Sequence, residues 1–274
     1  MSEEPAATRR VRLTVAYDGA GYRGFARNPG VRTVMGDLGE ALATIVRRPV
    51  ELTGAGRTDA GVHAWGQVVS GDLPAETDLP NLAKRINKLC APGIAVRDAA
   101  WAADGFDARF SATYRHYRYD VWNDVAPNPL LAGRAWFVPQ PLSRWAMRAA
   151  CDPLIGQHDF GSFCRRPPPR SGPDGEEVEA SLVRRVLSAR WSELDDPHHL
   201  RFEIRATAFC HQMVRSIVGT LVDVGIGRIS PGDVRGILVA RDRDTAGQVA
   251  PPYGLVLWEV GYPPAPAPSA AAEA

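Results

Sequence analysis

The chain is 274 residues long, with 45% hydrophobic and 23% charged residues and a formal net charge of +1. This is the profile of a globular chain that can bury a real core, with a length prior of about two domains. It excludes a chain that is basic as a whole, so any contact with a polyanion must rest on local patches. No apolar run approaches the roughly 18 residues of a membrane span, and Met1 to Val15 holds no signal-peptide apolar core; a cytoplasmic protein with no membrane partner is the expectation. Lys84 and Lys88 are the only lysines. Arginine suits bidentate phosphate contacts and base stacking, but a GC-rich genome gives the same bias, and the two explanations stand level. Cys90, Cys151, Cys164 and Cys210 form no CxxC pair, which supports neither a zinc ribbon nor a redox motif.

Taken in order, residues 1–9 are polar and expected to be disordered. Val11 to Tyr17 alternates as a half-buried strand, and Asp18-Gly19-Ala20-Gly21 breaks it. Val34, Leu38, Ala41, Leu42, Ile45 and Val46 recur at helical spacing until Pro49. Val50 to Thr53 reads as a short strand and Val62 to Val69 as another. Between and into them runs Gly54-Ala55-Gly56-Arg57-Thr58-Asp59-Ala60-Gly61-Val62-His63. Asp78 can cap a helix that buries Leu79, Leu82, Ile86 and Leu89 and exposes Arg85 and Lys88. Ile94 to Trp101 is a further strand, and this first half, a mixture of strands and helices, ends near residue 105.

Phe106 to Ala112 reads as a connector. Thr113 to Trp122 then alternates strongly: Arg115, Tyr117, Tyr119 and Val121 share one face, and Tyr114, His116, Arg118, Asp120 and Trp122 the other. An aromatic core with solvated arginines and a stacking platform for an unstacked base account for this pattern equally well. Ser143 to Gly156 has a helical pattern that Pro153 must kink or stop. His158-Asp159-Phe160 reads as structural turn residues, and residues 165–175 as a mobile, proline- and arginine-rich loop. Leu182 to Leu194 and Leu200 to Thr207 read as two long strands. Phe209 to Val224 reads as a helix with Met213, Ile217, Leu221 and Val224 in one stripe and His211 and Arg215 on a more polar face. Ser230-Pro231 reads as the cap and first residue of another helix. Leu255 to Val260 is the last strand, and residues 263–274 are a Pro/Ala tail expected to be disordered.

The ten-residue glycine-rich stretch holds the most chemistry. Glycines permit positive φ and close approach of a ligand, and a polar loop on strands is where binding and catalytic groups usually sit. It is no phosphate-cradling loop, because no Gly-Lys-Ser/Thr closes it and no helix follows. Asp59 and His63 are four apart, yet the glycines at 56, 61 and 66 argue against a helix that would make them metal ligands. A tight turn in which Asp59 bonds its own backbone is the simpler reading of the residues alone.

The whole string, however, resembles the signature motif of the TruA family of tRNA pseudouridine synthases. Ala108 to Thr113 followed by Tyr117-Arg118-Tyr119 resembles that family's second motif, Phe209 to Arg215 its third, and Ala250 to Leu257 its closing segment. Tyr17-Asp18-Gly19 and Val34 to Leu38 fit its opening, so the similarity runs in order over about residues 10–262. There are departures: Phe25-Ala26-Arg27-Asn28 replaces a segment that usually contains Trp-Gln, Ser216 stands where Asn is common, and the loop at 165–180 is longer and richer in proline.

The resemblance implies two α+β domains, residues 10–105 carrying the Asp59 loop and 106–262 completing the active site. Their sheets would join into one extended, curved, antiparallel-rich sheet with helices on one side and a cleft between the domains. It implies a homodimer and a tRNA substrate, modified at uridines thirty-eight to forty of the anticodon stem-loop. Pseudouridine formation breaks N1–C1′, turns the uracil and rejoins it through C5; it involves no redox change or group transfer, so no cofactor or metal is expected. By resemblance Asp59 is the catalytic nucleophile, attacking C1′ or C6, and Arg215 its partner from the second domain. Arg57 would help hold the target base out of the stem, Tyr117 would pack on the flipped uracil and help remove its C5 proton, and Leu255 would line the substrate site. Arg27, Arg165, Arg166 and Arg170 are candidates for RNA-backbone contacts. Two rival readings are an RNA-binding protein without catalysis, which would not need Asp59, and a metal-dependent hydrolase built on Asp59 and His63, for which no further ligand lies at a recognisable spacing.

Overall fold

The computed structural model describes residues 7–171 and 176–264. Twelve strands and five α-helices follow in the order β1 (Thr8–Tyr17), α1 (Val34–Val46), β2 (Leu52–Gly54), β3 (His63–Pro74), α2 (Leu79–Cys90), β4 (Ile94–Trp101), β5 (Tyr114–Trp122), β6 (Trp136–Phe137), α3 (Arg144–Ala149), β7 (Gly156–Asp159), β8 (Arg170–Ser171), β9 (Glu177–Val178), β10 (Val183–Glu193), β11 (His199–Ala206), α4 (Met213–Ile226), α5 (Asp233–Ala240) and β12 (Leu255–Gly261). Ten strands form one mixed sheet in the order β4-β1-β3-β12-β5-β11-β10-β7, with β2 added on β3 and β6 on β5.

The last strand joins the halves. β12 lies parallel to β3, with Val256 opposite His63, and antiparallel to β5, with Leu255 opposite Tyr119 and Leu257 opposite Tyr117. One apolar cluster runs through both halves, from Val11 to Val260. Alternation along β5 sends Tyr117, Tyr119 and Val121 into that core, in register with Ile204, Phe202 and Leu200 of β11. Each such fully buried side chain contributes about 1.5–3 kcal/mol. On the opposite face, Arg118 lies 3.7 Å over the Trp258 ring and donates to Glu203 at 3.0 Å. The aromatic there is already covered by an arginine.

Local chemistry sets the element ends. Thr33 caps α1 by accepting from Gly36 N, and Asp78 caps α2 by accepting from Asn81 N, each worth about 1 kcal/mol. α4 is nearly all buried because glycines let it pack closely: a Cβ on Gly219 would strike Gln248 O, and one on Gly225 the Met147 side chain. Gly227, at φ +87°, ends it.

Several expectations are corrected. Residues 8 and 9 of the supposed disordered N-terminus are strand, because Thr8 and Arg9 pair with Pro74 and Leu73; residues 1–6 lie outside the described residues, as does the tail from 265. Leu89 is 56% exposed and Cys90 takes the buried position of α2. At about 100° per residue, Leu89 falls about 80° from Leu79 around the axis and Cys90 only about 20°. The helix expected from Ser143 to Gly156 stops at Ala149, and Asp152–Leu154 is a single 3-10 turn around Pro153. His158 and Asp159 then lie in edge strand β7, opposite Arg184 and Val183, not in a turn. The loop at 165–175 is partly structured, since Arg170 and Ser171 pair with Val178 and Glu177. α5 starts at Asp233, not Pro231: Ser230 N donates to Asp233 Oδ2 while Asp233 N donates to Ser230 O, which closes a turn ahead of the helix. Residues 209–212 precede α4, and Gln212 adopts the left-handed conformation at φ +63°.

Candidate active site

The loop between β2 and β3 is held at nearly every residue. Gly54 leaves no room for a side chain, because a Cβ would enter the Phe25 ring. Ala55 N donates to Val68 O at 2.8 Å, and Arg115 donates through Nη2 to Ala55 O at 2.8 Å. Gly56 O accepts from Gln67 Nε2 at 2.8 Å. The Thr58 hydroxyl meets the buried Tyr17 hydroxyl at 2.7 Å, and Thr58 O accepts from Phe25 N at 3.1 Å. Val62 N closes the turn on Asp59 O at 3.2 Å, while Gly61, at φ +79°, packs against Pro252. A side chain on such a braced loop keeps its direction.

That side chain is Asp59, 23% exposed. Its Oδ2 accepts from Arg215 Nη1 at 2.9 Å, and its Oδ1 lies 3.3 Å from His211 Nε2. Arg215 stands in the first turn of α4. Its Nε donates to Ala250 O at 2.7 Å, and Ala250 N donates back to Arg215 O at 3.1 Å. The guanidinium is therefore fixed between the segment ahead of β12 and the carboxylate, a use of the rigid fork that lysine cannot reproduce. Asp59 comes from the first half of the chain and Arg215 from the second; they are 156 residues apart in sequence.

Tyr117 completes the group. It is 7% exposed, and the Phe209 ring meets it edge-on with centroids 5.0 Å apart. Burial first, and then the Tyr17 phenol and the Asp59 carboxylate, push its phenol far above the usual tyrosine range. The hydroxyl therefore stays protonated at neutral pH.

The other expected residues take different places. Arg57 is exposed on the braced loop and makes no hydrogen bond or ion pair among the described residues. Leu255 is 5% exposed and opposes Tyr119 in the sheet, so it packs in the core below the surface. Arg27 and Arg165 are exposed; Arg166 pairs with Glu179 at 3.3 Å. The side chain of Arg170 lies outside the described residues.

His63 belongs to a different cluster. It is buried 3.0 Å from Asp18 Oδ1, with its Nε2 3.3 Å from Gly133 O. Burial lowers its imidazole below the usual range, against the pull of the Asp18 carboxylate. Among the described residues no group of three His, Cys, Asp or Glu side chains is placed to hold a metal ion.

Two contributors to the site are absent from the expected set. Phe209, within the third motif string, packs on Tyr117. His211, four residues before Arg215 and expected on the same helical face, reaches Asp59 from a turn ahead of the helix instead.

Chemically, the site offers a carboxylate with one oxygen clamped and the other less tightly held, a protonated phenol nearby and an exposed arginine on the same loop. Residues 150–263 match the model of a family described as tRNA pseudouridine synthase, which gives the class. The tRNA pseudouridine synthase A of Frankia casuarinae is 44% identical over 267 residues, covering 96% of this chain and 93% of that protein. That of Leifsonia xyli is 42% identical over 93% of this chain and 92% of its own length. That of Bacillus subtilis is 40% identical over 92% of this chain and 99% of its own length. The chain belongs to the tRNA pseudouridine synthase A family, isomerases that act on tRNA. Its mixed sheet with five helices among the described residues is a pseudouridine synthase fold.

Proposed function

We propose that this chain converts uridines thirty-eight to forty of the tRNA anticodon stem-loop to pseudouridine, with Asp59 as nucleophile. The observation that carries this reading is the Asp59 carboxylate, held on a braced loop and paired with Arg215 across the two halves. Attack on C1′ or C6 by a carboxylate splits the exchange into two steps. Arg215 supplies the counter-charge. Tyr117 packs on the extruded uracil, and Arg57, free on the loop, holds the base out of the stem. Extrusion costs a few kcal/mol, offset by stacking and phosphate contacts. The two halves act as two domains closing on the RNA, and the enzyme works in the cytoplasm without a cofactor. Pseudouridine mapping on tRNA from cells with and without the gene tests the assignment of positions; loss of pseudouridine elsewhere but not in the anticodon stem-loop would refute it.

Tyr117→Phe keeps the ring and removes the hydroxyl. The expected result is unchanged tRNA affinity and a rate roughly tenfold lower, as for one lost hydrogen bond of about 1–1.5 kcal/mol. Tyr117→Ala lowers both. A wild-type rate in Tyr117→Phe leaves stacking as the only role of this residue.

At a net charge of +1 the whole chain provides no long-range field. A homodimer would present arginines of both subunits to one tRNA, and Arg27, Arg165, Arg166 and Arg170 are the proposed backbone contacts. With about four phosphates neutralised, log affinity falls against log salt with a slope of about −3 to −4. Replacing Arg165, Arg166 and Arg170 together by Gln flattens that slope and spares turnover at saturating tRNA. Sedimentation without RNA gives a dimer. A salt-independent affinity, or an active monomer, contradicts this account of recognition.

A further inference from the structure

The geometry points to His211 as a positioning residue that aims Asp59 Oδ1 as the attacking oxygen; this rests on the nucleophile assignment above. The two carboxylate oxygens are held unequally. Arg215 takes Oδ2 at 2.9 Å, within the range of a charge-assisted hydrogen bond. The 3.3 Å from Oδ1 to His211 Nε2 is beyond it. The short guanidinium contact draws electron density from Oδ2, which leaves Oδ1, touched only at longer range, the better donor toward an electrophile. The contact can also tighten once substrate excludes water, as catalytic hydrogen bonds commonly do.

The backbone around His211 is built to present it. Gln212 sits at φ +63°, a conformation that is unfavourable for a non-glycine residue and persists only where the surroundings impose it. His211 O accepts from Arg165 N at 3.0 Å, and Ser216 N donates to Gln212 O at 2.9 Å. The turn is thus tied on one side to the start of the arginine-rich loop and on the other to α4. The His211 side chain is 48% exposed, so its direction comes from this tied turn and not from packing in the core.

The test compares His211→Ala, His211→Gln and His211→Asn with wild type and Asp59→Asn. It reads single-turnover rate constants at saturating tRNA, tRNA affinity by filter binding and thermal melting. Glutamine places an amide nitrogen close to the position of Nε2; asparagine does not reach it. The expected result for His211→Ala is a rate roughly 10- to 100-fold lower with affinity and melting unchanged, the penalty of a misdirected reacting group. His211→Gln recovers most of that loss and His211→Asn does not. A wild-type rate in His211→Ala overturns the proposal. So does equal impairment of the alanine and glutamine variants, which would mean that the imidazole itself carries a proton. If Asp59→Asn turns over, the nucleophile assignment fails, whatever the His211 variants do.

Discussion

Asp59→Asn abolishes pseudouridine formation, by a factor on the order of 10⁴ or more, as loss of a nucleophile does elsewhere, while tRNA affinity stays within about twofold. The amide is nearly isosteric with the carboxylate. Its oxygen can still accept from Arg215 Nη1 and its nitrogen can face His211 Nε2, so the loop and the pair across the seam keep their geometry. Every other brace of the loop is a main-chain or neighbouring contact that the substitution does not touch. What is lost is the anionic oxygen able to form a bond to carbon. Turnover by purified Asp59→Asn above a protein-free control, with contamination by wild type excluded, would sink the assignment.

The second large effect belongs to Arg215. Arg215→Ala leaves the Asp59 carboxylate without its counter-charge and Ala250 O without its donor. Removing one preorganised electrostatic partner from a reacting site costs about 2.7–4 kcal/mol in the activation barrier. The side chains of Arg215 and Asp59 are 14% and 23% exposed, so a smaller loss of about 2–3 kcal/mol is expected, roughly 30- to 150-fold in the single-turnover rate. Arg215→Lys restores the charge but cannot span Oδ2 and Ala250 O together, so its rate falls between the two. A rate for Arg215→Ala within twofold of wild type would show that the pair is structural only.

The parts of this protein legible in its sequence are those where a local rule decides. The alternation of Arg115 to Trp122 gave the strand and its two faces, and Asp78 gave a helix start, because pleat and cap are properties of a few adjacent residues. The Asp59 loop stood out through its glycines and the motif it resembles. What was hidden depends on contacts distant in the chain. Nothing near Leu255 shows that its strand inserts between β3 and β5, which sets the seam where the site lies. The pattern from Phe209 onward is helical by its apolar stripe. The left-handed turn at Gln212, which separates His211 from the helix, is imposed by the ties of residue 211 to Arg165 and by the packing of α4. Edge strand β7 escaped because four residues, one of them glycine, carry too little periodicity to be read.

One experiment on purified components tests the role of Asp59 most directly. Unmodified tRNA is incubated with a molar excess of wild-type protein or of Asp59→Asn, without added metal or cofactor, and pseudouridine is read at every uridine. The predicted result is conversion at positions thirty-eight to forty by wild type and none by the variant, which still binds the same tRNA. Conversion at those positions by both proteins would contradict the central claim that the Asp59 carboxylate, paired with Arg215 across the seam, performs the chemistry.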